Sequence, residues 1–326
     1  MSVIGIFSGT FCNEWPVLRA LQESTGYKVV LDKDIVKKVS AQSGVAEGKI
    51  ERAFSAKTSV FNNFTHEKER SVVEMKLAVA DILAQDNLIL SGFSSQLIPR
   101  EITHVLRVCL IADMKYRKSA ATTEKNLSEK EATALIHKQD GDCAVWVQSH
   151  LGSKDPWDSS LYDIVIPMDK TEVEKAVTTI RDYLKKDLLQ PTERSGKALA
   201  DFLLSAAVGV ALAKEGHDAD VSAADGSVTI AINKHVLMLG RLEEELKAIA
   251  VRVSGVRSVD TTVGKNFHKT DIYRKFDFEA PSKVLLVDDE REFVQTLSER
   301  LLMRDMGSAV AYDGESALQM VSEDEP

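Results

Sequence analysis

The sequence predicts an α/β protein of three successive units: a parallel-sheet domain over residues 1–188, a small α+β module over 196–277, and part of a doubly wound domain over 282–326. Three observations carry this expectation. Short apolar runs alternate with helix-length tracts through residues 1–185, the pattern of a parallel sheet covered by helices. Asp225-Gly226 then joins two alternating runs, a strong short-range hairpin signal. Beyond Pro281 an apolar run restarts and leads straight into acids. A length of 326 residues suits several modules better than one core.

In chain order, Val3–Phe7 reads as the first strand and Pro16–Ser24 as the helix after a polar loop. Lys68–Ala84 is a helical tract, and Asn87–Ser91 and Val105–Ile111 are buried strands. Ser128 and Glu131 form a capping box that opens a helix running to about His137. Asp163–Pro167 is a fourth strand. The polar stretch Gln190–Gly196, with Pro191 in it, reads as a linker. The second unit then comprises a helix Ala198–Glu215, strands near Asp220–Ala223 and Val228–Ile232, a helix Leu242–Val253 and a strand Val256–Val263. A boundary at Phe278–Ser282 precedes a strand Val284–Val287, an amphipathic helix Phe293–Leu302 and a strand Ser308–Ala311.

Charge and composition narrow the function. A net charge of −9 argues against a sequence-independent grip on nucleic acid, which needs a basic surface. Cys12, Cys109 and Cys143 are odd in number and far apart, as suits reduced thiols better than a disulfide framework. The histidines lack ligand spacing. Val3–Phe7 has no basic lead of a signal peptide. Phe202–Ala213, the most apolar stretch, falls short of the ~20 residues that cross a bilayer. The expectation is a soluble, cytoplasmic protein with a buried helix there.

The run Lys283-Val284-Leu285-Leu286-Val287-Asp288-Asp289-Glu290 ends an apolar strand in adjacent acids. With the helix Phe293–Leu302, the strand Ser308–Ala311 and the phrase Ala311–Leu318, it resembles the receiver domain of bacterial two-component response regulators. The resemblance implies that Asp288 and Asp289 help to hold Mg²⁺ beside a phosphorylated aspartate, and that a sensor histidine kinase is the partner. In that family the acceptor ends the third strand. The 326 residues stop before such a strand, so no phosphoacceptor is assigned, and Mg²⁺ is expected only in a complete receiver.

Several segments of the first 185 residues fall in a telling order: Gly26–Val36 with Asp32-Lys33-Asp34, Val105–Val108, Met114–Arg117, Leu127–Ala132 and Ser160–Ile166. They resemble the cytidylate kinase-like group of P-loop proteins. That resemblance implies ATP and phosphoryl transfer, yet the residues depart from the pattern. A working loop reads GxxxxGK[ST], with amides around the phosphates and a lysine bridging them. Here Phe7–Pro16 keeps one glycine, has no lysine, and sets Glu14 and Trp15 where phosphates should approach. The family's arginine cluster in the lid is replaced by Asp140-Gly141-Asp142-Cys143. No catalytic residue is assigned, and ATP becomes doubtful. Ser8, Gly9, Thr10, Asn13 and Arg117 remain as a vestigial nucleotide or anion site.

The middle unit resembles the small BON module in its helix–hairpin–helix–strand order, with echoes at Ala223–Ile230 and Ser254–Val259. The resemblance implies attachment to a membrane or a partner, with self-association open. The combined expectation is a two-component signalling protein carrying a kinase-derived, non-catalytic sensing or docking domain. The alternative is an active nucleoside-monophosphate kinase with appended regulatory domains.

Overall fold

The computed structural model describes residues 3–57, 62, 66–234, 236, 238–264, 267, 284–302 and 307–323. Strands β1 (Val3–Ser8), β2 (Lys28–Leu31), β3 (Leu88–Ser91), β4 (Val105–Ile111) and β5 (Ile164–Pro167) form a parallel sheet in the order β2-β3-β1-β4-β5. β1 lies at the centre, paired in register with β3 through Val3↔Leu88 and with β4 through Val3↔Val105. Its side chains are buried on both faces, which is why it reads as an unbroken apolar run.

Helices α1 (Glu14–Thr25) and α2 (Asp32–Ser43) follow β1 and β2, and the short α3 (Glu47–Glu51) and long α4 (Glu67–Leu83) lead to β3. α5 (Met114–Lys125) and α6 (Glu129–Leu151) separate β4 from β5, and α7 (Val173–Leu184) closes the domain. One core joins Ile35, Val36 and Val39 of α2 to Met75, Ala78 and Val79 of α4 on one face. The other joins Val17, Leu18 and Leu21 of α1 to Val177 and Ile180 of α7.

Two expectations need correction here. The helix opened by Ser128 does not end near His137 but runs to Leu151. Cys143, Trp146 and Val147 continue the buried face begun by Ala132 and Ile136, and that burial outweighs the ~1 kcal/mol a mid-helix glycine such as Gly141 costs. Asp140-Gly141-Asp142 therefore lies on a helix and not in a lid loop. The segment read as a linker instead carries the N-cap of α8 (Glu193–Lys214), where the Thr192 side chain accepts from the amide of Ser195.

α8 is apolar around much of its girth, and such a helix needs burial on every side. Leu199, Phe202 and Leu203 pack into the core of the first domain, while Val208 and Leu212 enter the core of the second unit. The segment Asp187–Lys214 has the length and apolarity of a membrane span. Of its most apolar window 28% is buried inside the protein, and Phe202, Ala206, Val208, Val210 and Leu212 are among the buried residues of the helix.

The second unit is a three-stranded sheet of β6 (Asp220–Ala224), β7 (Ser227–Ile232) and β8 (Ser258–Val263) in the order β6-β7-β8. Asp225 (φ 53°) and Gly226 (φ 81°) make the tight turn of the antiparallel β6–β7 hairpin. α9 (Leu239–Ala250) carries the chain over to β8, parallel to β7. It starts and stops three residues earlier than the sequence pattern suggests, and β8 begins at Ser258. The boundary expected at Phe278–Ser282 lies outside the described residues. Beyond it, β9 (Val284–Val287) pairs in parallel with β10 (Ser308–Ala311), with α10 (Arg291–Leu302) between them and α11 (Gly314–Glu323) following.

Candidate phosphate-loop site

The carboxyl ends of β1, β2 and β3 converge, and in a parallel sheet this is where ligands are met. β1 ends at Ser8, and α1 begins at Glu14. Between them Phe11 (φ 62°) and Asn13 (φ 56°) hold left-handed backbone that suits glycine, at a cost of about 1–2 kcal/mol each. The loop thus follows a glycine-like path without glycine at either position. Its Gly9 amide donates to the Leu110 carbonyl at 2.9 Å.

Side chains fill the space around this path. Phe11 is buried among Ala121, Ala132 and Ile136 of α5 and α6. The Cys12 thiol is buried, and desolvation pushes its pKa up to about 12, so it is an inert core group. The Ser8 hydroxyl turns onto the Gly9 carbonyl at 2.9 Å, and Asn13 Nδ2 donates to the Tyr116 hydroxyl at 2.7 Å. A Cβ at Gly9 would lie 3.6 Å from both Arg117 Cζ and the Trp157 ring, so these two side chains cover the loop.

Arg117, on α5, hydrogen-bonds the loop, and Lys125 at the end of α5 lies 5.6 Å from the centre of the Phe11 ring. The Arg117 Nε donates to the Thr10 carbonyl at 2.8 Å, and Nη1 and Nη2 donate to the two carboxylate oxygens of Asp140 at 2.9 and 2.7 Å. Burial pulls the Arg117 pKa down, but the hydrogen bonds and charge of Asp140 outweigh that and hold it above the ordinary value. Ser8, Gly9, Thr10, Asn13 and Arg117 do come together at the loop.

Glu14 and Trp15 divide differently from the sequence expectation. Trp15 is 63% exposed and points away from the loop, because Val17, Leu18 and Leu21 define the opposite, buried face of α1. Glu14 turns inward and accepts from the Ser91 hydroxyl at 2.5 Å. Its burial raises its pKa against that hydrogen bond. Asp32, the first residue of α2, was not singled out as a site residue. It is half-buried and accepts from the amides of Phe93 and Ser94, both at 2.8 Å, and from the Ser94 hydroxyl. Desolvation pushes it up to about 6, although those three bonds favour the ionised form. The available signal was an acid directly after an apolar run, Asp32 following Val29-Val30-Leu31.

Arg117 thus donates three of its N–H groups, to the Thr10 carbonyl and the Asp140 carboxylate, while Glu14 and Asp32 open α1 and α2 with further carboxylates. A nucleoside triphosphate with Mg²⁺ asks for free amides and a lysine. These residues do not fit it. Asp288 and Asp289 sit at the end of β9 and are exposed, and Asp288 Oδ1 accepts from the amide of Glu290 at 2.9 Å. Two carboxylates alone would leave most of the oxygen positions of a hard dication to water, which makes for weak binding. Among the described residues no group of three or more His, Cys, Asp or Glu is placed to hold a metal.

Several solved structures share likeness with the chain. A protein from Eubacterium ventriosum is 14% identical over 57% of this chain and 99% of its own, with a TM-score of 0.45. A shikimate kinase from Acinetobacter baumannii is 10% identical over 56% and 93%, with a TM-score of 0.33. A dephospho-CoA kinase from Campylobacter jejuni is 16% identical over 57% and 98%, with a TM-score of 0.29. No curated protein matches. Residues 11–170 match the model of the Cytidylate kinase-like family, a span that holds Asp32, Arg117 and Asp140. A cytidylate kinase-like P-loop domain accordingly occupies residues 11–170.

Proposed function

We propose that the cytidylate kinase-like domain is a sensing or docking module that has given up phosphoryl transfer. One observation carries this reading: Arg117 is bound by Asp140 and by the Thr10 carbonyl, beside a loop that holds Glu14 and no lysine. Phosphoryl transfer depends almost wholly on positive groups positioned around the moving phosphate. The test is a coupled assay of the purified chain with ATP and CMP, dCMP, UMP or AMP. The expected rate is background; turnover near the usual ~1–100 s⁻¹ of kinases would overturn the proposal.

A second reading, an active nucleoside-monophosphate kinase, is favoured by the family match over residues 11–170. The same assay separates the two. A role in two-component signalling rests on the receiver-like sequence of residues 283–318, and the parallel β9–β10 pair, with Asp288 and Asp289 following β9, is compatible with it. Mg²⁺ titration of the chain and of an Asp288→Asn, Asp289→Asn variant tests that part, with loss of binding expected in the variant. Equal binding would remove these acids from any metal role.

A further inference from the structure

The strongest contact at the loop is one the chain makes with itself. Arg117 and Asp140 form a two-pronged pair, with parallel N–H···O bonds of 2.9 and 2.7 Å. The side chain of Arg117 is 7% exposed and that of Asp140 is 24% exposed. A guanidinium offers this same fork to the oxygens of a phosphate, so a carboxylate seated in the fork between Nη1 and Nη2 excludes a phosphate from it. The bond from Nε to the Thr10 carbonyl fixes the guanidinium against the loop, where a phosphate would have to sit.

The helices that carry this pair are held down at three further points. Phe11 reaches from the loop into the Ala121, Ala132 and Ile136 cluster between α5 and α6. Asn13 donates to Tyr116, the residue before Arg117. Asp142, two residues beyond Asp140, accepts from the amide of Ala56 at 2.6 Å and ties α6 to the turn after α3. An incoming anion would have to break a charged fork and lift two helices together.

We propose that Asp140 acts as a built-in competitor for Arg117, a tethered carboxylate that occupies the anion position of the loop and keeps phosphate-type ligands out until it is displaced. The proposal rests on the loop holding the place of a phosphate loop in the cytidylate kinase-like domain proposed above to be non-catalytic. It also names how that site is controlled. A tethered competitor needs no ligand in solution, because its local concentration is set by the fold and not by the medium. The ligand class it excludes is a diphosphate or the polyphosphate arm of a nucleotide, since these share the charge and paired oxygens of the carboxylate they would replace.

The test is pyrophosphate binding by calorimetry to the full chain and to Asp140→Asn, with Asp140→Asn, Arg117→Gln as the control. The wild type is expected to give no saturable heat, Asp140→Asn to give a saturable isotherm, and the double variant to lose it. Equal binding by the wild type and Asp140→Asn, or binding by neither, would overturn the proposal. If Asp140→Asn does not fold, Asp140→Ser takes its place. If neither folds, hydrogen exchange of the wild type decides. The amides of residues 9–13 should then be equally protected with and without millimolar pyrophosphate, and protection that rises with pyrophosphate sinks the idea. Phosphoryl transfer by the wild type would refute the proposed function, whereas failure of Asp140→Asn to gain affinity would refute this inference alone.

Discussion

Asp32 and Ser94 are joined twice, through the Ser94 amide at 2.8 Å and through its hydroxyl, so the end of β2 is fastened to the turn after β3. Because desolvation pushes the pKa of Asp32 up from 3.8 to about 6, proton binding couples directly to folding. Between these two values the unfolded chain has lost the proton while the folded chain keeps it. Stability therefore falls as pH rises from about 4 to about 6 and is flat beyond, by an amount on the order of 3 kcal/mol. Urea melts across this range should show a decline that Asp32→Asn removes. An identical slope in the two proteins would show that Asp32 titrates alike in both states.

Gly92 makes that junction possible. Its φ of 111° is backbone that side chains avoid, and a Cβ there would run into the Asp32 carboxylate. Gly92→Ala is expected to lower stability by about 3 kcal/mol, from backbone strain and from the displaced carboxylate. Thermal melts of Gly92→Ala and of Gly92→Ala, Asp32→Gly would separate the two contributions, since the second variant frees the space but keeps the strain.

Arg117→Ala should be destabilising, whatever its effect on activity. It leaves the Asp140 carboxylate without its partner and the Thr10 carbonyl without its donor, which places the loss at about 2–4 kcal/mol. Denaturant titration checks this. A variant within about 0.5 kcal/mol of wild type would mean that the pair contributes nothing to holding the loop.

Phe202→Ala should remove about 3–4 kcal/mol from a side chain that packs in the first core although it belongs to the helix of the second. Residues 3–264 are expected to unfold in one calorimetric transition. A separate early transition of the β6-β7-β8 unit would show that α8 does not couple the two.

Much of the sheet was legible in the sequence because β1, β3, β4 and β5 read as nearly continuous apolar runs. β2 was not among the strands named. It is a four-residue edge strand with only Val30 buried, and its apolar run, Val29-Val30-Leu31, is only three residues long. The length of α6 was hidden by Asp140-Gly141-Asp142, which has the local composition of a turn and is overruled by the packing of Trp146 and Val147. At the site, the loop residues and Arg117 could be found by their place after a strand. The partners of Arg117 and Ser94 could not, because they lie 23 and 62 residues away in the chain and only the fold brings them near. Trp15 shows the same limit from the other side: a residue's position in a loop motif does not say which way its helix face is turned.

The helix shared between the two cores has a mechanical consequence. α8 is 22 residues long, so it forms a rod of about 33 Å, anchored near its middle by Phe202 to one body and toward its far end by Val208 and Leu212 to the other. A rod gripped in this way works as a lever. A tilt imposed at Phe202 would reach Val208 and Leu212 along one unbroken helix. Fusion of the β6–β7 hairpin to another protein would therefore have to take the rod along with it.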